Sequence, residues 1–355
     1  MSARAAEGSL ATTWLAPLVA LLIAAIVGDI LILSFGQAPG EVYRLLIEGT
    51  WGNAYGLGQV LYKATTLTFT GLAVALGLRA GLFNIGAEGQ LAAGGFAAAM
   101  AGLLLPAGVP AILAVPFCMV AAAAGGGVVG AVPGALKARF GASEVIVTIM
   151  LNFVVLALLN WIVAGKLHVG ESLHTPTINA GALPRLSEVA PGFHGSAANA
   201  TIILAIATAA AVGWFLFRTR AGYDLRATGL QPDAAEYGGI NVGREHFRAM
   251  TMAGALAGLG GVNFVLGYKQ YYEEGFAAGA GFLGIAVALV GRNHPAGVPL
   301  AALLFATISQ GGLAVNAIVP KQMVEVLTAV VIIAVAVTVP EVQRLLASTA
   351  RRVTS

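Results

Sequence analysis

Three groups of polar residues interrupt an otherwise apolar sequence. In the first, Gly81-Leu-Phe-Asn-Ile-Gly-Ala-Glu-Gly-Gln90, the residues Asn84, Glu88 and Gln90 sit between two hydrophobic runs, among glycines that break helical continuity. An acid beside lipid is costly unless it finds a partner or water, so it marks a functional site by default. Two readings stay open here. The stretch is a tight turn at the membrane interface, with Glu88 near the positive end of the following helix, or it lines or gates a pathway. In the second group Glu144, Thr148 and Asn152 recur every four residues, which places them on one slowly rotating helix face, with Asn160 further along. Asn263, Gln310 and Asn316 form the third group. Such amides and hydroxyls serve as hydrogen-bonding glue between helices. Arrayed along a passage, they equally suit a neutral solute rich in donors and acceptors.

Other chemistries find no support. His168, His174, His194, His246 and His294 are scattered, none at metal-ligand spacing from another, and no HExxH is present. Ser309 has no base placed beside it by sequence and no GxSxG elbow around it. No GxxxxGK[ST] loop occurs, so ATP binding through a Walker loop is not expected of this chain. The one cysteine, Cys118, lies in an apolar run and reads as a packing residue. A net charge of +3 argues against a nucleic-acid partner. The sequence thus implies neither an enzyme nor a bound metal or cofactor.

The elements that must position these groups belong to a membrane. Of 355 residues, 58% are hydrophobic and only 10% charged, against about 25% charged in soluble domains. A helix needs about 20 apolar residues to cross a bilayer. Ten segments qualify or nearly so: 14–35, 61–80, 86–105, 110–135, 145–165, 200–217, 249–267, 277–291, 296–313 and 322–340. The expected fold is an all-α, polytopic transmembrane bundle of about ten spans, some broken or short. The stretch 80–90 and the short segment 277–291 are the places for a broken or half-spanning helix, tolerated where protein or a water-filled cavity covers the freed backbone. The first segment exceeds the about 7–15 residues of a secretory h-region, so it reads as a retained span.

Glycines such as Gly254 and Gly258 would let helix backbones approach closely. Lysine and arginine favour cytoplasmic loops. With the N-terminus inside, only Arg44, Lys63, Lys166, Arg185, Lys269 and Lys321 of the 19 basic residues fall outside; the other 13 lie inside. Both termini are therefore expected in the cytoplasm. The chain divides into an N-terminal tail (1–13), a transmembrane domain (14–340) and a C-terminal tail (341–355), with an external loop at 166–199 and an internal one at 218–248. In the internal loop Pro232 suits a helix start, Asp233 and Glu236 favour its positive end, and Gly238-Gly239 suits its stop. A short helix outside the membrane is expected there.

The string FNIGAEGQ, preceded by TGLAVALGLRAG, resembles permease subunits of bacterial ABC importers of the nucleoside and simple-sugar group, relatives of the branched-chain amino acid permeases. The resemblance continues through SEVIVTIMLN at 143–152, RATGLQPDAAEYGGI at 226–240 and GFLGIAVAL at 281–289. It implies a permease in the bacterial inner membrane that carries a nucleoside or related polar solute, with Asn84, Glu88, Gln90, Thr148, Asn152 and Asn263 as candidates along the pathway. It also implies four kinds of partner: the bilayer, a cytoplasmic ATPase that binds the ATP and magnesium, a second permease, and an extracytoplasmic solute-binding protein or lipoprotein. In the nucleoside-like branch the two permeases are usually different chains, so a heterodimer is expected. The string DAAEYGGI is similar to the importer coupling motif, with aspartate where glutamate is commoner, and assigns ATPase coupling to Asp233, Ala234, Ala235, Glu236 and Gly239. Three alternatives remain at this point: a simple-sugar permease, a secondary transporter coupled to ions through Asp29 or Glu88, and an ATP-independent channel.

Overall fold

The computed structural model describes residues 22–316, 318–320 and 322–334. The two tails, the first seven residues of the first apolar segment (14–20) with Leu21, the last of the tenth (335–340), and the basic residues Arg4, Lys321, Arg344, Arg351 and Arg352 lie outside them. The described chain is helical, with no strand beyond three isolated bridges. Its helices are α1 (Leu22–Ser34), α2 (Pro39–Thr50), α3 (Ala54–Arg79), α4 (Ala87–Leu104), α5 (Ala111–Phe140), α6 (Glu144–Ile162), α7 (Leu186–Val189), α8 (Thr201–Arg218), α9 (Arg220–Leu230), α10 (Pro232–Tyr237), α11 (Val242–Phe264), α12 (Ala280–Val290), α13 (Gly297–Ala314) and α14 (Gln322–Ala334).

Within the described residues, each of the ten apolar segments overlaps a helix. Among the described residues, six helices, beginning at Ala54, Ala111, Glu144, Thr201, Val242 and Gly297, are long and apolar enough to cross a membrane. The helices α1 and α2 satisfy the same criterion only as a pair, bent by 111°. At about 1.5 Å per residue, the 11 residues of α12 reach about 16 Å, roughly half of a ~30 Å hydrocarbon layer. The segment 277–291 is thus a helix of half-span length.

Residues 57–306 form one compact unit, in which α4, α5 and α11 pack most extensively. Glycine makes that packing possible. A Cβ on Gly94 would collide with the backbone of Gly258, and one on Gly126 with the carbonyl of Gly254. Small residues at these positions let backbones touch where any larger side chain would hold them apart. Ala98, Ala122, Leu159, Val262, Leu266 and Tyr272 fill the buried core around this contact.

The other unit comprises the chain up to Gly56 and from Thr307 onward. In its described part Ile32, Val42, Val315, Val319 and Met323 form a separate apolar cluster. The helix α2, not anticipated from sequence, starts with Pro39 in its first turn and mixes charged with apolar residues. Its 12 residues give it no continuous apolar run to betray it.

Candidate functional site

The helix break between α3 and α4 is built locally. Gly81 adopts a left-handed φ of 74°, Leu82 N–H donates to Gly77 O (2.9 Å) and Gly81 N–H to Leu78 O (3.1 Å). This paired closure satisfies the last carbonyls of α3. Asn84 Oδ1 then accepts from Gly86 N–H at 3.0 Å, a side-chain turn that aims the chain into α4.

The polar groups at the start of α4 face one another. The amides of Asn84 and Gln90 pair reciprocally, at 2.9 and 3.1 Å. Asn152, on α6, accepts from Gly89 N–H and donates to Ile85 O, both at 2.9 Å. It therefore caps a first-turn N–H of α4, one of those left without an intrahelical partner. The Thr148 hydroxyl, one turn earlier, returns its hydrogen bond to Glu144 O at 2.7 Å and packs beside Gly86. Glu144 itself pairs with Lys137 at 2.9 Å, tying the start of α6 to the last turn of α5.

Glu88 is 6% exposed and reaches away from this cluster. Its two carboxylate oxygens accept from Gly279 N–H (2.8 Å) and Gly281 N–H (2.7 Å) at the start of α12. Gly279 has a φ of 83°, and a Cβ on Gly281 would strike the backbone of Glu88. The carboxylate thus lies in the first turn of α4 and at the positive end of α12 at once. Asn263 belongs elsewhere. It donates to Tyr62 O (2.9 Å) and Thr66 Oγ1 (2.8 Å) and accepts from Asn199 Nδ2 (2.9 Å), joining α3, α11 and the end of the loop 166–199. Of the six expected pathway residues, five gather around the α4 start and Asn263 stands apart. All six are buried, and each side chain has a protein partner.

An aromatic cluster at the second break had no place in the sequence reading. After Phe264, α11 continues as a π-turn over Val265–Lys269, and Gln270 turns it with a φ of 62°. Phe264 packs on Tyr268 (6.3 Å between centroids) and on Phe276 (4.8 Å). Tyr272 meets Phe96 and Phe276 edge-on, both at 5.4 Å. Asn160, at the end of α6, donates to Glu274 Oε1 at 2.5 Å. Burial raises the pKa of the Tyr272 phenol, and the nearby Glu274 carboxylate adds to the rise. The loop 166–199 covers this break through Thr175 N–H to Tyr272 O, Ile178 N–H to Gln270 O and Leu183 N–H to Leu266 O, each at 2.8 Å. The one available signal was the run Tyr271-Tyr272-Glu273-Glu274 between two apolar segments.

The internal loop folds as two helices. Thr219 caps α9 by accepting from Gly222 N–H at 3.0 Å. The short helix α10 begins at Pro232 and is closed by Gly238, with Gly239 at a φ of 85°. Asp233, Ala234, Glu236 and Gly239 face outward. Ala235 is instead turned into its own chain, at 6% exposure, while Tyr237 at 99% exposure is the most prominent side chain of the helix. Beside it lies a groove of about 550 Å³ lined by Arg220, Tyr223, Gln231, Ala234, Arg244 and Arg248. Among the described residues, no three His, Cys, Asp or Glu side chains gather as a metal site.

Comparison with known proteins follows this geometry. The family described as branched-chain amino acid transport system / permease component matches residues 56–336. The guanosine ABC transporter permease protein NupP of Bacillus subtilis (strain 168) is 36% identical, over 91% of this chain and 92% of its own length. The nucleoside ABC transporter permease protein NupB of Lactococcus lactis subsp. cremoris (strain MG1363) is 35% identical, over 91% and 90%. The glucose ABC transporter permease protein TsgB13 of Haloferax volcanii is 32% identical, over 90% and 87%. The same two bacteria each hold a second permease that matches, NupQ at 30% and NupC at 26% identity. No solved structure matches.

Proposed function

The chain belongs to the branched-chain amino acid transport system permease family and is a multi-pass permease subunit of an ABC importer; from that premise we propose that it carries nucleosides across the bacterial inner membrane. One observation carries the choice of solute. Two relatives named for guanosine and nucleoside transport resemble nearly the whole chain at higher identity than the relative named for glucose. The aromatic cluster of Phe96, Phe264, Tyr268, Tyr272 and Phe276 supports the same reading, because planar bases stack on aromatic faces.

On this reading the passage runs beside the two helix breaks. Asn84, Glu88, Gln90, Thr148, Asn152 and Asn263 are positioning residues that fasten the helix starts along it. The chain makes about ten spans, some broken or short, with the half-length α12 completed by the non-helical stretch before it, and both termini and the loop 218–248 face the cytoplasm. The helix α10 docks on a separate ATPase, which binds ATP and magnesium, through its outward residues Asp233, Ala234, Glu236 and Gly239 together with Tyr237. Ala235 acts from inside by seating α10 on its own chain. The existence of companion permeases in both bacteria supports a heterodimer with a paralogous permease, fed by an external solute-binding protein.

The test is uptake by proteoliposomes holding the complete importer. Labelled guanosine should accumulate with ATP inside the vesicle lumen on the ATPase side, and unlabelled nucleosides should compete while glucose does not. Glucose uptake that nucleosides leave untouched would assign the chain to sugar transport instead. Guanosine uptake that needs an ion gradient and ignores ATP would overturn ATP-driven coupling.

A further inference from the structure

Two arginines converge on one aromatic ring where two apolar helices end. Arg79, the last residue of α3, and Arg226, on α9, hold their guanidinium carbons 5.7 and 5.2 Å from the centroid of Phe217, near the end of α8. Each has one backbone duty. Arg79 Nε donates to Asn293 O and Arg226 Nε to Leu216 O, both at 2.9 Å. A guanidinium carries five donors, so each uses one. Among the described residues, the terminal nitrogens of both make no hydrogen bond, and neither arginine joins an ion pair. The nearest acid in sequence, Asp224, lines the groove beside α10. His294, stacked on Phe217 at 5.4 Å, brings no negative charge. Two like charges share one ring, with open donors and no counter-charge.

The surroundings say what supplies that charge. The helices α3 and α8 are both long and apolar enough to cross a membrane, and both end here, at Arg79 and Arg218. Phe217 is 39% and Trp214 64% exposed, and Ile203 and Ile206 continue the same outward face along α8. Cations and amphipathic aromatics at the end of an apolar helix mark the plane where acyl chains give way to headgroups. Guanidinium forks match phosphate oxygens in a bidentate manner.

We propose that Arg79 and Arg226 form a headgroup site for an anionic phospholipid, whose phosphodiester bridges the two guanidiniums beside Phe217. Its acyl chains lie along the exposed face of α8 through Trp214, Ile206 and Ile203. The site adjoins the end of α3 but uses none of the polar side chains at the start of α4, and it is distinct from the aromatic break and from the outward face of α10. It does not depend on which solute the importer carries.

The test uses the full chain, purified with its partner subunits, stripped of lipid in detergent and followed by native mass spectrometry. Phosphatidylglycerol should bind in preference to phosphatidylcholine. The double variant Arg79→Gln/Arg226→Gln should weaken phosphatidylglycerol binding about thirtyfold, since each basic residue near a headgroup plane contributes about fivefold. Arg226→Gln alone keeps the Arg79 bond to the Asn293 turn, and should weaken binding about fivefold even if the double variant fails to assemble. Arg226→Lys should restore most of that loss. Equal binding of the two lipids, or undiminished phosphatidylglycerol binding by Arg226→Gln, would overturn the site. Full displacement of the lipid by millimolar inorganic phosphate would show a free-anion site and overturn the lipid assignment. Lipid excluded until a partner subunit is removed would assign the arginines to a protein carboxylate.

Discussion

Replacing Glu88 by alanine would remove the anion that closes the start of α12. The carboxylate accepts from two backbone N–H groups, at 2.8 and 2.7 Å, in a place where Glu88 is 6% exposed. Water cannot readily take over those bonds. Hydrogen bonds to a charged group contribute about 1.5–3 kcal/mol each, and an orphaned buried donor keeps its desolvation cost. Glu88→Ala should therefore cost about 3–6 kcal/mol for the two bonds, a loss that includes the favourable placement of an anion at a helix N-terminus. Glu88→Gln keeps the shape and one accepting oxygen, but turns an NH₂ toward the second N–H. Its cost should be smaller, about 1–3 kcal/mol. The assay is thermal unfolding of the detergent-solubilised importer together with uptake in proteoliposomes. Stability should fall in the order wild type, Gln, Ala, and transport should fall with it. An alanine variant as stable as the wild type would refute the capping argument. Intact stability with equal loss of transport in both variants would mean that the carboxylate serves the solute or an ion.

Three further outcomes follow from the same geometry. Tyr237→Ala should leave membrane insertion intact but reduce copurification of the ATPase, whereas Ala235→Arg should destabilise the chain itself by about 1–3 kcal/mol or more through overpacking, because Ala235 is buried. Pull-down and unfolding measurements separate the two, and ATPase binding unaffected by Tyr237→Ala would remove α10 from the contact. Gly126→Val should strike the carbonyl of Gly254 and abolish the α5–α11 packing, seen as loss of folded protein in size-exclusion chromatography; a normal yield would contradict the close approach. For sidedness, Tyr237→Cys in a Cys118→Ala background should label only from the cytoplasmic side. Alanine is the right background because Cys118 sits fully buried among apolar neighbours, where serine would bury a hydroxyl. External labelling would invert the topology.

Local chemistry was legible in the sequence wherever a structure closes on itself within a few residues. Pro232 and Gly238-Gly239 bound α10 as their conformational preferences require. Gly81 ends α3 for the same reason. The small-residue pair Gly254 and Gly258 does lie at a backbone-to-backbone contact. What no short window contained was the partner. Glu88 meets N–H groups 191 and 193 residues further on. Asn263 meets Asn199 and Asn160 meets Glu274, across 64 and 114 residues. Which of two adjacent alanines, Ala234 or Ala235, faces outward also depends on how α10 packs against its neighbours.

The same limit governs how intramembrane polar residues should be read. Residue type told that Asn84, Gln90, Asn152 and Asn263 need hydrogen bonds, but a passage and a helix fastening need them alike. What the structure adds is that these amides are already engaged. Asn84 and Gln90 spend their amides on each other, Asn152 on the backbone of the α4 start, and Asn263 on Tyr62, Thr66 and Asn199. A solute drawing on these groups would first have to break bonds that hold helix starts in place. Ring faces carry no such debt, since stacking asks for no donor to be released. On the proposed nucleoside reading, the half-buried Phe96, Phe264, Tyr268 and Phe276 are therefore better placed than the amides to meet a moving base, and the amides serve to hold the breaks that present them.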